Sequence, residues 1–153
     1  MNYLKTTVLS TALCVCLLHA SAQNHNVTVK EPDYNKPELF KDLPRQMKLQ
    51  LTDLQSIIDL PVGSIVKTQI ADHFIFQGTI VSKADDPKVK SVVVKSINRV
   101  GATLTFTKTL QANGTFSYVG RIISFKHADA YEIVQENGQY LLQKTGFNDL
   151  VSE

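Results

Sequence analysis

Six short β-strand patterns fill the chain from Phe74 onward, and they limit the fold more than any other feature. Each run is rich in β-branched and aromatic residues, and a short turn signal separates it from the next. The runs lie at about 74–83, 89–97, 102–110, 115–125, 130–136 and 139–145. Connections this short join antiparallel neighbours. The sequence therefore predicts a mainly β fold with small α content, an antiparallel six-stranded meander forming a coiled sheet or half-barrel.

The last hairpin has the clearest register. The dipeptide Asn137-Gly138 is a preferred two-residue type I′ turn, and it stands between two apolar runs. Counting back from this turn pairs Ile133 with Leu142 and Gln135 with Tyr140. One face of the hairpin then carries four apolar or aromatic side chains, which we expect in the core: Tyr131, Ile133, Tyr140 and Leu142.

The preceding hairpin allows two registers. A two-residue turn at Asn113-Gly114 would place the aromatic residues of its strands on opposite faces, whereas a three-residue loop at 112–114 places them on one face. The second register pairs Phe106 with Gly120 and predicts that the ring covers the glycine. We expect the sheet to bend at Gly78 and Gly120. The expected core includes Leu104, Phe116, Ile122, Ile133 and Leu142.

One short helix is expected before the meander. Met47, Leu49 and Leu51 alternate with polar residues, which indicates a short strand. Thr52 with Gln55 then forms a capping-box pattern, which predicts an N-terminal helix that ends before Pro61. The segment from Ser64 to Ile70 fits either a strand or a helical turn, and we leave both open.

The first 22 residues have the features of a secretory signal peptide. Lys5 precedes an apolar run from Val8 to Leu18, and small residues end at Ala22. The run is shorter than the roughly 20 residues of a membrane-spanning helix. We expect cleavage near Ala22, no transmembrane segment in the mature chain, and a secreted or periplasmic location. A lipoprotein is a less favoured alternative, because Leu13 and Val15 precede the cysteines where lipidation normally requires small residues.

Beyond the signal peptide, the sequence predicts one extended flexible arm, 23–44, and a single β-rich domain, 45–153. The arm is polar, contains three prolines and shows no sustained period. Both cysteines, Cys14 and Cys16, lie in the signal peptide, so the mature chain is expected to contain no disulfide and no thiolate metal site.

Basic residues are concentrated in the middle of the chain. Eight lysines and arginines face only two acidic residues between Lys83 and Lys126, a net charge of +6. Such a section binds a polyanion if its charges gather on one face. Alternatively, the charges protect outward-facing strand positions from aggregation. Nucleic acid is not an expected partner, because the whole chain is nearly neutral. The candidate binding residues are Lys88, Lys90, Lys95, Arg99, Lys108 and Arg121.

The best candidate for catalysis is the pair His127 and Asp129 in a predicted turn. Such a pair could bind a metal or act as a base and its orienting group. However, only His25 and His73 remain as histidine ligands after signal cleavage, and no nucleophile motif occurs. We therefore expect no catalytic residue, no metal and no cofactor, with a structural role for both side chains.

Two functional classes follow from these features. The favoured class is a secreted non-catalytic module that binds a protein or an anionic glycan. The alternative is a small secreted hydrolase or metal-dependent enzyme centred on His127 and Asp129.

Overall fold

The computed structural model describes residues 35–151. The predicted signal peptide, the cleavage near Ala22 and the first part of the predicted arm lie outside this range. Two helices accompany the strands: α1 (Leu51–Ile58) and α2 (Phe147–Val151). The strands are β1 (Gln46–Lys48), β2 (Ile65–Ala71), β3 (Phe74–Asp85), β4 (Val89–Ser96), β5 (Thr103–Leu110), β6 (Phe116–Ile123), β7 (Asp129–Glu136) and β8 (Gln139–Gly146).

All eight strands form one antiparallel sheet in the order β1-β8-β7-β6-β5-β4-β3-β2. The mainly β meander is confirmed, but the prediction of six strands and one helix is wrong. The short strand expected around Met47 is β1, but its pairing with β8 from the far end of the chain has no local turn signal. β2 is the segment that the sequence left open, and it buries Val66, Thr68 and Ile70 on one face.

The sheet curls into a half-barrel whose edge strands approach each other. An isolated bridge joins Leu49, which follows β1, to Ala71 at the end of β2. Gly78 in β3 lets a neighbouring strand come close, since a Cβ there would lie 2.3 Å from the Lys95 carbonyl oxygen. A register shift in β3, between Ile80 and Ser82, adds to the curvature.

Both predicted hairpin registers are confirmed. Phe106 pairs with Gly120, and Ile133 pairs with Leu142. The Phe106 ring stacks on the Tyr118 ring, with the centroids 5.9 Å apart. The side-chain atom closest to a Cβ built on Gly120 is Ile133 Cδ1, at 2.9 Å, so Ile133 packs closer to the glycine than the ring that we expected to cover it.

The predicted core is correct except at Phe116 and at Tyr140, which is only half-buried and packs against the core. Leu104, Ile122, Ile133 and Leu142 are buried, but Phe116 is 46 % exposed. Phe116 lies on the inner face, as the register requires. It is exposed because it is the first residue of β6 and lies beyond the end of the core.

The predicted capping box of Thr52 and Gln55 does not form. Helix α1 begins at Leu51 with Gln50 as its N-cap, and no side chain caps it. Thr52 therefore lies within the first turn, where its hydroxyl cannot cap the helix. Gln55 instead donates a hydrogen bond to the Tyr118 hydroxyl, which connects the helix to β6.

Residues 35–44, the last part of the predicted arm, pack against the sheet. Phe40 is fully buried, and its ring centroid lies 5.2 Å from that of Tyr131 and 6.0 Å from that of Phe74. We call residues 37–44 the strap, because they cross one end of the half-barrel. The core of the domain therefore begins before residue 45.

Tyr131 gives the fold a predicted weakness at alkaline pH. Its hydroxyl donates to the Pro44 carbonyl, and burial, with the nearby Asp129 and Asp42 charges, raises the tyrosine pKa from 10.0 to about 12. A raised folded-state pKa contributes stability that is complete below pH 10 and is lost as the pH rises toward 12. We expect the free energy of unfolding to fall by roughly 2–3 kcal/mol over this interval because of this one group.

Urea denaturation at a series of alkaline pH values measures this loss, and the Tyr131→Phe variant is the control. The variant lacks the ionisable hydroxyl, so its stability should fall less between pH 10 and 12. Parallel curves for the variant and the wild type would contradict the assignment.

Candidate functional site

Three of the six predicted lysine and arginine residues gather at one end of the inner face. Lys88, Lys90 and Lys108 line a cavity of about 110 Å³ together with Pro87 and Phe116. We call these three lysines the lysine cluster. The cavity lies at the end of the half-barrel where the β3–β4 and β5–β6 turns meet.

The strand registers explain why these lysines share a face. Lys90 pairs directly with Lys108 across β4 and β5. Side chains two residues apart on a strand point to the same face. Val92 and Phe106, which follow the same alternation, are fully buried. The inner face of the sheet therefore changes from apolar to basic at this end.

Lys90 is held in place by two carboxylates. Its ammonium lies 2.9 Å from Asp59, the residue after helix α1, and 3.3 Å from Asp85 in β3. The hydrogen bond from Lys90 lowers the pKa of the Asp59 carboxyl, and the two carboxylates raise the pKa of the Lys90 ammonium. Lys90 thus stays charged, but its charge is largely compensated.

Lys88 and Lys108 form no ion pair within residues 35–151. The Lys108 ammonium lies 4.0 Å from the centroid of the Phe116 ring, a cation–π contact. Lys88 donates its backbone N–H to the Asp86 carboxylate at 2.8 Å, while its own side chain lines the cavity. Lys88 and Lys108, which form no ion pair in this part of the chain, therefore line one cavity together with an exposed aromatic ring.

Lys83 and Phe116 are parts of the site that sequence analysis missed. Lys83 pairs with Val92 on the inner face, and its charge also lowers the pKa of Asp59. The register shift after Ile80 moves Lys83 to this face, and no sequence signal marks that shift. The register predicts a core position for Phe116, but its place beside the turn is a signal for exposure.

The other three predicted residues lie elsewhere. Lys95 and Arg121 are exposed on the outer face of β4 and β6. Arg99 lies between β4 and β5 and binds Asp42 of the strap through two hydrogen bonds of 2.8 and 2.6 Å. That hydrogen bonding lowers the pKa of Asp42 and raises that of Arg99. The six candidate residues therefore do not gather on one face, which was the condition for a polyanion site formed by all of them.

His127 and Asp129 have separate partners. The Asp129 carboxylate is buried and accepts hydrogen bonds from the backbone N–H groups of Leu39 and Phe40 at 2.6 and 2.8 Å. His127 Nδ1 lies 2.7 Å from the Ser124 hydroxyl. Asp129 therefore anchors the strap, and His127 contacts its own turn.

Two further findings concern only the described part of the chain. No group of three or more histidine, cysteine, aspartate and glutamate side chains is placed to hold a metal ion there. Within residues 35–151, no helix has both the length and the apolar character needed to cross a bilayer.

The comparisons with known proteins do not extend this description. No protein-family model matches the chain, and no curated protein or solved structure is significantly similar to it.

Proposed function

We propose that this protein is a non-catalytic binding module that recognises an anionic partner through the lysine cluster. The observation that carries the proposal is that Lys88 and Lys108, neither of which forms an ion pair within residues 35–151, line one cavity with the exposed Phe116 ring. Clustered positive charge attracts anions at long range, and an exposed aromatic ring adds apolar contact area.

The compensated lysine supports the same proposal. Asp59 and Asp85 fix Lys90 between the helix and the sheet, so the centre of the cluster is ordered before a partner arrives. Ordering in advance lowers the entropic cost of binding. A purely protective role for surface lysines requires no such fixed arrangement on an inner face.

We further propose that the mature chain begins near Gln23 and acts outside the cytoplasm. This part of the proposal rests on the signal-peptide features of residues 1–22. An extracytoplasmic location favours polysaccharides and other secreted or surface proteins as partners over nucleic acid.

Binding to a sulfated polysaccharide tests the proposal. The variant Lys88→Gln/Lys108→Gln removes the two lysine charges of the cluster that have no ion pair in the described chain, and we expect its affinity for dextran sulfate to fall roughly 10- to 30-fold, at about 1 kcal/mol per lysine. The slope of log affinity against log salt should become shallower by about two. Isothermal titration calorimetry at several salt concentrations measures both quantities.

The matched control is Lys67→Gln/Lys95→Gln, which removes the same charge from exposed positions on β2 and β4. This control should bind nearly as well as wild type. An equal loss in the two variants would mean that only net charge matters, and it would refute the proposed site.

A further inference from the structure

The two C-terminal hairpins separate from each other beside the lysine cluster. β6 and β7 share only two pairs, Arg121 with Glu132 and Ile122 with Tyr131. By contrast, eight pairs join β5 to β6, and eight join β7 to β8. The first five residues of β6, from Phe116 to Gly120, therefore have β5 on one side and no paired strand on the other. We call this side the β6 edge.

The hydrogen-bond register shows which backbone groups face this edge. Gln111 donates its N–H to the Thr115 carbonyl at 2.8 Å, which places the odd-numbered residues of this strand in hydrogen-bonded pairs with β5. The even-numbered residues of the β6 edge direct their N–H and carbonyl groups away from β5. Consistent with this direction, the Tyr118 N–H donates to the Tyr140 hydroxyl at 3.3 Å, a side-chain contact in place of a strand ladder.

The β6 edge is accessible from the outer face of the sheet. A cavity of about 250 Å³ opens on this face over β5 and β6, and it is lined by Thr105, Thr107, Val119, Gly120, Arg121, Glu132 and Leu150. The Val119 side chain is 58 % exposed. At the inner end of the same edge stand the exposed Phe116 ring and Lys108.

We propose that the anionic partner is an extended acidic polypeptide segment that adds to the β6 edge as a new strand. This inference rests on the proposed function and names the partner of the same site. Main-chain hydrogen bonds to an exposed edge supply affinity, and flanking side chains supply specificity. The backbone groups of Phe116 and Gly120 and the Tyr118 carbonyl offer the hydrogen bonds, and Lys108 offers the charge complement for carboxylates.

A polypeptide fits the edge better than a glycan does. An added strand lies about 5 Å from β6. Its side chains on the inner face therefore reach the Phe116 ring on β6 and the long side chain of Lys108 on β5, the next strand. Its amide groups match the alternating donors and acceptors of the edge. A sulfated glycan has hydroxyl and sulfate groups that form hydrogen bonds, but it lacks the regular alternation of N–H and carbonyl groups that matches a strand edge.

The test uses the mature chain, residues 23–153, and three probes. The first is a short peptide in which Glu alternates with Val or Thr. The second is the same peptide with every other backbone nitrogen methylated. It is made in two versions, and each version blocks the N–H groups along one of the two edges of the extended peptide. The third is dextran sulfate. We expect methylation on the edge that pairs with β6 to weaken peptide binding by about tenfold or more, the loss of one or two hydrogen bonds.

A pair of variants places the peptide on the protein. Phe116→Pro and Phe116→Ala both remove the ring, but only proline also removes the backbone N–H that faces the edge. We expect Phe116→Pro to bind the peptide more weakly than Phe116→Ala, with equal affinity for dextran sulfate. Equal peptide affinities in the two variants, both folded by circular dichroism, would refute the β6 edge as the site.

The outcomes separate this inference from the proposed function. If no probe binds, the proposed function is wrong. If dextran sulfate and all peptides bind with equal affinity, the lysine cluster acts by charge alone and strand addition is wrong. Should the proline variant fail to fold, the methylated peptides still decide between these cases.

Discussion

Replacing Phe106 with Ala is expected to lower the free energy of unfolding by about 3–5 kcal/mol. The ring is fully buried on the inner face of β5, where it stacks against Tyr118. Alanine would leave a cavity that the surrounding sheet cannot close, because both neighbouring strands are fixed by full ladders. Urea denaturation followed by circular dichroism measures the loss.

Phe116→Ala is the matched control, since it removes the same ring from the same face of the next strand. Because Phe116 is 46 % exposed, we expect its loss to remain below about 1 kcal/mol. Similar losses in the two variants would contradict the conclusion that the buried core ends between Phe106 and Phe116. A loss below about 1 kcal/mol for Phe106 would contradict the register itself.

Asp129→Ala is expected to destabilise the domain by about 2–4 kcal/mol, although Asp129 is not placed for catalysis. Its carboxylate is the acceptor for two backbone N–H groups of the strap, at Leu39 and Phe40. Removing the carboxylate leaves these donors without their partner beside the buried Phe40 ring. Hydrogen exchange should therefore become faster at the Leu39 and Phe40 amides before it does so in the sheet.

His127→Ala is the corresponding control and should cost less than about 1 kcal/mol, because the histidine is half-buried and its side-chain hydrogen bond is to the Ser124 hydroxyl of its own turn. An equal loss from both variants would contradict the assignment of separate roles. Stoichiometric zinc in the wild-type protein, absent from both variants, would instead favour the alternative enzyme hypothesis.

The sequence predicts those parts of the fold that local turns determine. The Asn137-Gly138 turn and the 112–114 loop each fix a register within a few residues, and both registers are correct. β1 and the strap depend on partners far away in the chain. Arg45 and Lys144, for example, meet only when the two ends of the domain come together.

The candidate site could be predicted only in part for a related reason. Charge density identified Lys88, Lys90 and Lys108, but it could not separate them from residues on the outer face or at the strap. Their separation depends on strand alternation together with the β3 register shift, which also brings Lys83 to the inner face. The role of Asp129 depends on backbone groups about 90 positions away in the chain.

The most direct test of the lysine cluster is a ¹H–¹⁵N NMR titration of the mature protein with a short dextran sulfate. We expect the largest chemical-shift changes at Lys88, Lys90, Lys108 and Phe116, at one end of the inner face. Changes that are largest at Lys95 on the outer face, or that spread evenly over the exposed lysines, would contradict the proposal that this cluster is the binding site.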